Sequence, residues 1–394
     1  MTRRRWLRFS LRALLLLTLL AGIVCGWLGT ELARMRRERL AVAKLKKIAS
    51  IYFHLEPEKR KSLMFPGLGG EPPPMTLKQK AVRQIFGKPY HQRVADVFLW
   101  GAESRDTTIA KTVDLSLLRD FDAITDISIR NVSVRNAQSI SHLRHIRSLT
   151  LVNTGIEDVT CLNGLTRLLK VNVSNNRLTQ LPSLNSLSDL NELDLSNTRV
   201  HRLDSVHQCV SLESLWLTKT IVSDLGPLMN LRKLVHVDVG HTKVTNAQAL
   251  HGKPALSGLV LTGCQVDRMP LLPSLTYLDI SDTKISSLAF VRQSPKITGL
   301  ITSGTPIMDL RPLERLPLVY LGLGKTKVRD VTPLLKIKTL TDLWIFPGSV
   351  SKSELRKLKK ELPELIIHED HEGLNWDPTR QSPFVIGIEP VVVQ

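Results

Sequence analysis

The sequence is poor in cysteine and in aromatic residues, with 4 cysteines and 5% Phe, Trp and Tyr among 394 residues. Cys25 lies in an apolar run near the N-terminus, whereas Cys161, Cys209 and Cys264 fall at different places in a repeating pattern. Cysteines placed in this way do not make a disulfide framework, so the small disulfide-stapled class is excluded. We expect isolated thiols, and an exported location stays open.

Motifs of nucleotide binding and catalysis are also lacking. Gly324, Lys325 and Thr326 match the end of a phosphate-binding loop, G-x-x-x-x-G-K-[ST], but Val319 stands where that motif needs its first glycine. The sequence contains no G-x-S-x-G and no H-E-x-x-H. We therefore predict a protein that is not an enzyme and that holds no cofactor.

One short segment is rich in potential metal ligands: His368, Glu369, Asp370, His371 and Glu372. Two histidines three residues apart, with carboxylates, could contribute to a Zn²⁺ site, but such a site needs three or four converging ligands. The alternative is a solvated polar turn. We favour the turn and predict no metal site.

Basic charge is concentrated at one end of the chain. The net charge is +18, yet residues 1–100 alone contain 20 Lys and Arg against 6 Asp and Glu. This excess lies beside an apolar run, where it can contact anionic lipid headgroups. We therefore expect lipid contact near the N-terminus and no binding of nucleic acid.

Residues 13–29 form an uncharged apolar run of seventeen residues, with Trp27 placed as an interfacial aromatic. A signal peptide is the alternative, but no clear small-residue cleavage site follows the run. Arginines flank both ends, which leaves the orientation open by charge alone. Because a large domain after a short tail is usually translocated, we predict a single-pass cytoplasmic membrane protein with its C-terminal part outside.

The remaining sequence is dominated by one repeated template, L-x-x-L-x-L-x-x-T-x-V. Successive copies start 22 residues apart six times in a row, and then 19, 22, 21 and 22 apart. A period held over this length indicates a solenoid in which each coil is stable only against its neighbours. The eleven copies start at Ile124, Ile146, Leu168, Leu190, Leu212, Leu234, Leu256, Leu275, Ile297, Leu318 and Leu340.

Each place in the template has a structural meaning. The first, fourth and sixth places, such as Leu212, Leu215 and Leu217, are predicted to point into the core. The ninth place is mostly Thr, with Asn176 and Cys264 among the exceptions. Because a hydroxyl satisfies fewer backbone groups than an amide, we expect a ladder of weak hydrogen bonds there.

Several coils continue with D-[LV]-x-P-L, as at Asp224, Asp309 and Asp330. Asp can cap a short helical segment, and Pro suits its first turn. Over roughly residues 94–368 the pattern resembles the internalin-like class of leucine-rich repeat proteins. It is also similar to bacterial single-pass membrane proteins with such repeats. The resemblance implies an α/β solenoid, a horseshoe with a parallel concave sheet and short convex helices.

The predicted organisation is sequential. Residues 49–54 and 94–100 are expected to form strands, residues 31–48 and 76–86 helices, and residues 64–75 a Pro/Gly segment. Ser351 and Glu354 form a capping box before a helix that ends near Pro363, and residues 365–369 add a last strand. The predicted segments are a basic tail (1–12), a transmembrane helix (13–29), a juxtamembrane region with N-terminal cap (30–123), repeats (124–350), a C-terminal cap (351–369) and an irregular tail (370–394).

The third, fifth and seventh template places are expected to face the concave side, where solenoids generally bind. Aromatic and acidic residues there suggest a surface for a protein ligand, because Trp and Tyr are frequent binding hot spots. Cross-strand packing is the alternative role for the same rings, and glycan binding or a structural envelope role is the alternative function. The candidate residues are Asp194, Trp216, His236, Asp238, Tyr277, Asp279, Tyr320 and Trp344.

Overall fold

The structure, a computed structural model, describes residues 11–46, 50–52, 96–100, 112–121 and 124–369. Two α-helices lie in these ranges, α1 (Leu11–Lys46) and α2 (Lys352–Glu361). The strands are β1 (Ser50–Tyr52), β2 (Asp96–Trp100), β3 (Val113–Asp114), β4 (Asp126–Arg130), β5 (Val134–Arg135), β6 (Ser148–Val152), β7 (Lys170–Asn172), β8 (Glu192–Asp194), β9 (Ser214–Trp216), β10 (His236–Asp238), β11 (Gly258–Val260), β12 (Tyr277–Asp279), β13 (Gly299–Ile301), β14 (Tyr320–Gly322), β15 (Asp342–Ile345) and β16 (Ile366–Glu369).

In the described ranges, fourteen strands form one long sheet in the order β1, β2, β4 and then β6 to β16. Strand β1 is antiparallel to β2, and every later neighbour in this sheet is parallel. Strands β3 and β5 form a separate parallel pair. The predicted solenoid with a parallel sheet is therefore confirmed.

Each of the eleven template copies contributes one strand, and each strand begins at the third template place. Leu212, Leu215 and Leu217 are 0% exposed, as the template predicts for core positions. The same places in the other coils join them in one continuous apolar core. Neighbouring coils thus bury each other's leucines, which explains why the period must be kept.

The chain turns sharply where each strand ends. The eighth template place has a left-handed backbone in most coils, as at Asn175 (φ 59°), Asn197 (φ 53°) and Lys325 (φ 55°). Asn tolerates this conformation better than most residues. Lys325 of the Gly-Lys-Thr sequence is one of these turn residues, and the Thr326 hydroxyl donates to the Leu323 carbonyl at 2.8 Å.

The ninth place carries a hydroxyl hydrogen bond in successive coils. The hydroxyls of Thr198 and Thr220 donate to carbonyls of their own coils, Leu195 and Leu217, each at 2.7 Å. Asn176 instead accepts from the Thr154 amide of the preceding coil at 3.0 Å. The threonines thus form the expected series of single hydrogen bonds, each within its own coil, because a hydroxyl satisfies fewer backbone groups than an amide.

The convex side carries short 3₁₀ helices, as the D-[LV]-x-P-L pattern predicts. Asp224, Asp309 and Asp330 each accept a hydrogen bond from the backbone amide two residues later, at 2.7 to 2.9 Å. The 3₁₀ helices in the described residues are Leu115–Asp120, Ala137–Ile140, Thr160–Leu162, Asp204–Gln208, Gly226–Leu228, Gln248–Leu250, Ala289–Gln293, Arg311–Leu313 and Thr332–Lys336.

Helix α1 joins the predicted transmembrane and juxtamembrane helices without a break. Its segment Leu14–Ala41 is long and apolar enough to cross a membrane, a property that a signal sequence shares. Leucines near its start are exposed, whereas Met35 and Ala41 are buried where the helix packs against Leu115–Asp120. Arg34 forms ion pairs with Glu31 at 2.5 Å and Glu38 at 3.0 Å on the same side.

The C-terminal cap has the predicted form. The Ser351 hydroxyl accepts from the Glu354 amide at 3.2 Å and donates to the Glu354 carboxylate at 2.9 Å, which begins α2. Strand β16 then pairs in parallel with β15. The segments predicted at 64–75, 76–86 and 370–394 lie outside the described residues.

Candidate functional site: the concave face of the sheet

Two rows of side chains run along the concave face because the strands are parallel and in register. One row contains the third template places and the other the fifth. On neighbouring strands His236 aligns with Gly258, and Asp238 aligns with Val260. All eight predicted site residues lie in these two rows, so the solenoid brings them onto one surface.

Carboxylates alternate with apolar residues along the fifth-place row. Asp194, Asp238 and Asp279 lie on β8, β10 and β12, while Trp216 and Val260 lie on β9 and β11. Each Asp accepts a hydrogen bond from the backbone amide two residues later, at 2.8 to 2.9 Å. One oxygen of each carboxylate is therefore fixed by the backbone, which sets the direction of the side chain.

Burial raises the pKa of Asp194, Asp238 and Asp279, because desolvation disfavours the charged form. The backbone hydrogen bonds act in the opposite direction, as does the Asn172 amide, which donates to Asp194 at 2.8 Å. Asp279 is 9% exposed, and the other two carboxylates are partly exposed. Asp194 and Asp238 are thus the members of the trio that a ligand can reach.

Trp216 and His236 form the first aromatic contact on this face. Their ring centroids are 5.6 Å apart, and both side chains are partly exposed. The His236 ring lies over Gly258, where a Cβ atom would come within 2.7 Å of Nδ1. Burial lowers the pKa of His236 to about 4, so the imidazole is neutral at pH 7.

Tyr277 and Tyr320 form a second contact, with ring centroids 6.1 Å apart across the strand that holds Gly299. Together with Val260 and Ile301 they form a small apolar cluster on the concave face. Tyr277 is only 3% exposed, because these neighbours cover it. The expectation that Tyr277 is an exposed aromatic is therefore wrong, and cross-strand packing describes its contacts.

Trp344 lies apart, at the C-terminal end of the same face. Its ring stacks on His368 of β16, with centroids 4.4 Å apart and planes at 11°. His368 Nε2 also lies 3.0 Å from a carboxylate oxygen of Asp342. Groups of three or more potential metal ligands are absent from the described residues, and His371 lies beyond them.

The charge of the concave face is opposite to that of its flank. The third, fifth and seventh places of the eleven coils carry Asp126, Glu192, Asp194, Asp238, Asp279 and Asp342 against Arg130 and Lys170. The eighth and tenth places, on the adjacent flank, carry Arg177, Arg199, Lys219, Lys243, Lys284, Lys325 and Lys327 against Asp282. The solenoid thus presents an acidic trough beside a basic edge.

Sequence reasoning missed two kinds of residue in this site. Gly258 and Gly299 occupy third places, where the rings of His236 and Tyr320 need space; a glycine in a strand is itself the signal for such a close approach. His368 was considered only as a metal ligand, although its position in the fifth-place row of β16 follows from the alignment with Trp344.

Comparison with known proteins agrees with this architecture. A family model described as Zer-1-like leucine-rich repeats matches residues 181–326. No curated protein matches the chain in sequence.

Among solved structures, an internalin, InlF from Listeria monocytogenes, is 17% identical with a TM-score of 0.62, and the match covers 75% of this chain and 91% of the internalin. The functional domain of InlJ from the same species is 18% identical, with a TM-score of 0.51 and coverages of 64% and 54%. A chain of the LRIM1/APL1C complex is 15% identical, with a TM-score of 0.51 and coverages of 66% and 63%. Identities this low show the fold alone. With its 22-residue template and its long parallel sheet, the chain is a leucine-rich repeat protein with the fold of the internalin-like class.

Proposed function

We propose that this chain is a membrane-anchored, non-catalytic interaction module that binds a partner protein through its concave face. The observation that carries the proposal is Trp216, a partly exposed aromatic held between carboxylates on a rigid parallel sheet. Trp is frequent among binding hot spots, and solenoids generally bind on the concave side. In the LRIM1/APL1C complex, a structural neighbour is itself part of an assembly.

The proposed location is the cytoplasmic membrane, crossed once by α1, with the repeats outside. Support comes from the exposed leucines of α1 and from the continuous helix that packs on the first part of the solenoid. Arg36 and Lys44 on the same helix are exposed and can contact anionic headgroups. Protease treatment of intact and permeabilised cells tests this location. Cleavage before the inner membrane is opened supports it, and protection until lysis of that membrane contradicts it.

Site-specific photo-crosslinking tests the interaction surface. A photo-reactive residue at Ser214 faces the trough from β9, whereas one at Met229 projects beside the convex helix Gly226–Leu228, where Met229 is 64% exposed. We expect a specific adduct in native membranes from position 214 and none from position 229. Equal adducts from both positions, or none from position 214, would contradict the proposal.

A matched double variant tests the aromatic residues themselves. Trp216→Ala with Trp344→Ala is preferred to any variant of Tyr277, because removing a buried ring would leave a cavity. We expect loss of the adduct at position 214 with an unchanged circular dichroism spectrum. Retained crosslinking at full yield would show that these rings do not bind the partner.

Glycan binding is the second candidate function, favoured by the partly exposed Trp344 beside the Asp342 carboxylate. Sugar rings stack on aromatic faces and donate hydrogen bonds to carboxylates. A polysaccharide array with the full chain separates the candidates, since binding that is lost in Trp344→Ala supports the glycan function. Silence on the array together with the adduct at position 214 supports a protein partner.

A further inference from the structure

Three acidic side chains of the fifth-place row lie on alternate strands. Asp194, Asp238 and Asp279 lie on β8, β10 and β12, and the strands between them carry Trp216 and Val260. Neighbouring strands are about 4.8 Å apart, so carboxylates on alternate strands are about 9.6 Å apart. Asp194 and Asp238, the two members that a ligand can reach, therefore offer negative charge about 9.6 Å apart, with Trp216 between them.

A polyproline II helix has nearly the same repeat. It advances about 3.1 Å per residue with three residues per turn, so every third side chain lies on one face about 9.3 Å from the next. A Lys or Arg at every third position would meet successive carboxylates. The methylene stems of such residues can cover apolar surface while the charged ends remain near water, and Trp216 adds a ring on which a cation can rest.

We propose that the concave face binds a basic segment of a partner protein, which lies along the solenoid axis in polyproline II conformation with Lys or Arg at every third residue. This inference rests on the proposed function, because it names the partner class for the same surface. Charge complementarity favours it over an acidic segment: six carboxylates lie at the third, fifth and seventh places against Arg130 and Lys170, and the pairing of Lys170 with Glu192 at 2.8 Å leaves five carboxylates against Arg130. The basic flank repels a cationic segment and so directs it into the trough.

Asn172 shows which substitution removes the charge of a fifth-place Asp and keeps its backbone hydrogen bond. Asn172 occupies the fifth place on β7, and its side-chain oxygen accepts from the Ser174 amide at 3.0 Å, as the carboxylates do in later coils. Asp194→Asn and Asp238→Asn should therefore keep the backbone hydrogen bond and lose the charge, and Asp194→Asn also loses the hydrogen bond that the Asn172 amide donates to Asp194. Asp282→Asn is the matched control, since Asp282 is exposed on the flank in a left-handed turn (φ 54°) that Asn also tolerates.

The test uses the full chain in nanodiscs of neutral phosphatidylcholine, so that a cationic peptide does not bind the lipid. Fluorescence anisotropy is measured with a labelled (Pro-Pro-Lys)₅ peptide, with (Pro-Pro-Glu)₅, and with a peptide of five Lys and ten Pro in which the Lys residues are clustered. Empty nanodiscs provide the background. We expect binding of the first peptide, weakening at high salt because charge pairs are screened, and weaker binding of the clustered peptide.

Asp194→Asn with Asp238→Asn is expected to weaken binding by about tenfold, which corresponds to about 1.4 kcal/mol, and Asp282→Asn is expected to leave it unchanged. Equal binding of the Glu peptide, equal binding of the clustered peptide, or an equal effect of Asp282→Asn would each overturn the proposal. The crosslinking experiment at position 214 tests the proposed function independently of peptide binding. If that adduct depends on Trp216 while no Lys peptide binds, the basic-segment inference fails and the interaction module stands.

Discussion

Tyr320 lies across Gly299 of the neighbouring strand, so closely that a Cβ atom on Gly299 would overlap the phenol ring. This pair spans β13 and β14, which are parallel and in register. The glycine therefore leaves room for the Tyr320 ring beside Tyr277.

Gly299→Ala is accordingly expected to destabilise the solenoid by about 1–3 kcal/mol, the usual effect of overpacking. The measurement is urea denaturation of the full chain in detergent. A double-mutant cycle with Tyr320→Ala provides the control, because without the ring the added methyl group should be nearly neutral. An equal loss in both backgrounds would show that the contact is not the cause.

Asn176 supports a second stability prediction. Its side-chain oxygen accepts from the Thr154 and Ile156 amides at 3.0 and 3.3 Å, and its nitrogen donates to the Leu151 carbonyl at 2.6 Å. A threonine at this position could form a hydrogen bond only within its own coil, as Thr198 does. We expect Asn176→Thr to destabilise by about 2–3 kcal/mol, because buried amides of the preceding coil lose their acceptor.

Thr198→Val is the matched comparison, since it removes one local hydrogen bond and is expected to destabilise by about 1 kcal/mol. Both variants are compared by urea denaturation under the same conditions. If Asn176→Thr is no more damaging than Thr198→Val, the bonds between coils contribute little.

The fold could be predicted from the sequence because it depends on a repeated pattern. The eleven template starts fix the third place, and every repeat strand begins there. Exposure within the site could not be predicted, since the template places Tyr277 on the concave face and only the neighbouring side chains determine that it is 3% exposed. The partner of the Thr198 hydroxyl could not be predicted for a similar reason: the template gives the residue type but not which nearby carbonyl the hydroxyl reaches.

His236 leads to a prediction on acid stability. Its pKa is lowered by burial to about 4 from 6.5, so between these values the unfolded chain binds a proton that the folded chain does not. The contribution of His236 to the free energy of unfolding is therefore fully present above pH 6.5, and it is lost as the pH falls to about 4. His236→Phe keeps a ring over Gly258 and cannot be protonated, so its melting temperature should fall less than that of the wild type over this range.

The difference between the two proteins is the quantity to measure, because Asp238 on the same strand titrates in the opposite sense and is present in both. Thermal unfolding at pH 7, 6, 5 and 4 provides it. A difference that stays constant with pH would mean that His236 is protonated as readily in the folded chain as in the unfolded chain.

A substitution at Asp279 tests whether a buried carboxylate in the fifth-place row lowers the stability of the fold. Burial raises its pKa above the ordinary 3.8, so the folded state holds the proton more tightly, and stability falls as the pH rises through the interval between the two values. Asp279→Asn has no carboxylate to ionise, so it avoids this loss of stability. Its side-chain oxygen should still accept a hydrogen bond from the Ser281 amide, which lies 2.8 Å from Asp279 Oδ1. We expect the variant to melt about 2–4 °C higher at pH 7, the effect of roughly 1 kcal/mol in a domain of this size, and to lose this advantage below pH 3.8.

A variant that melts lower at pH 7 would show that the charge stabilises the fold. A higher melting temperature would show that burying this carboxylate lowers the stability of the fold.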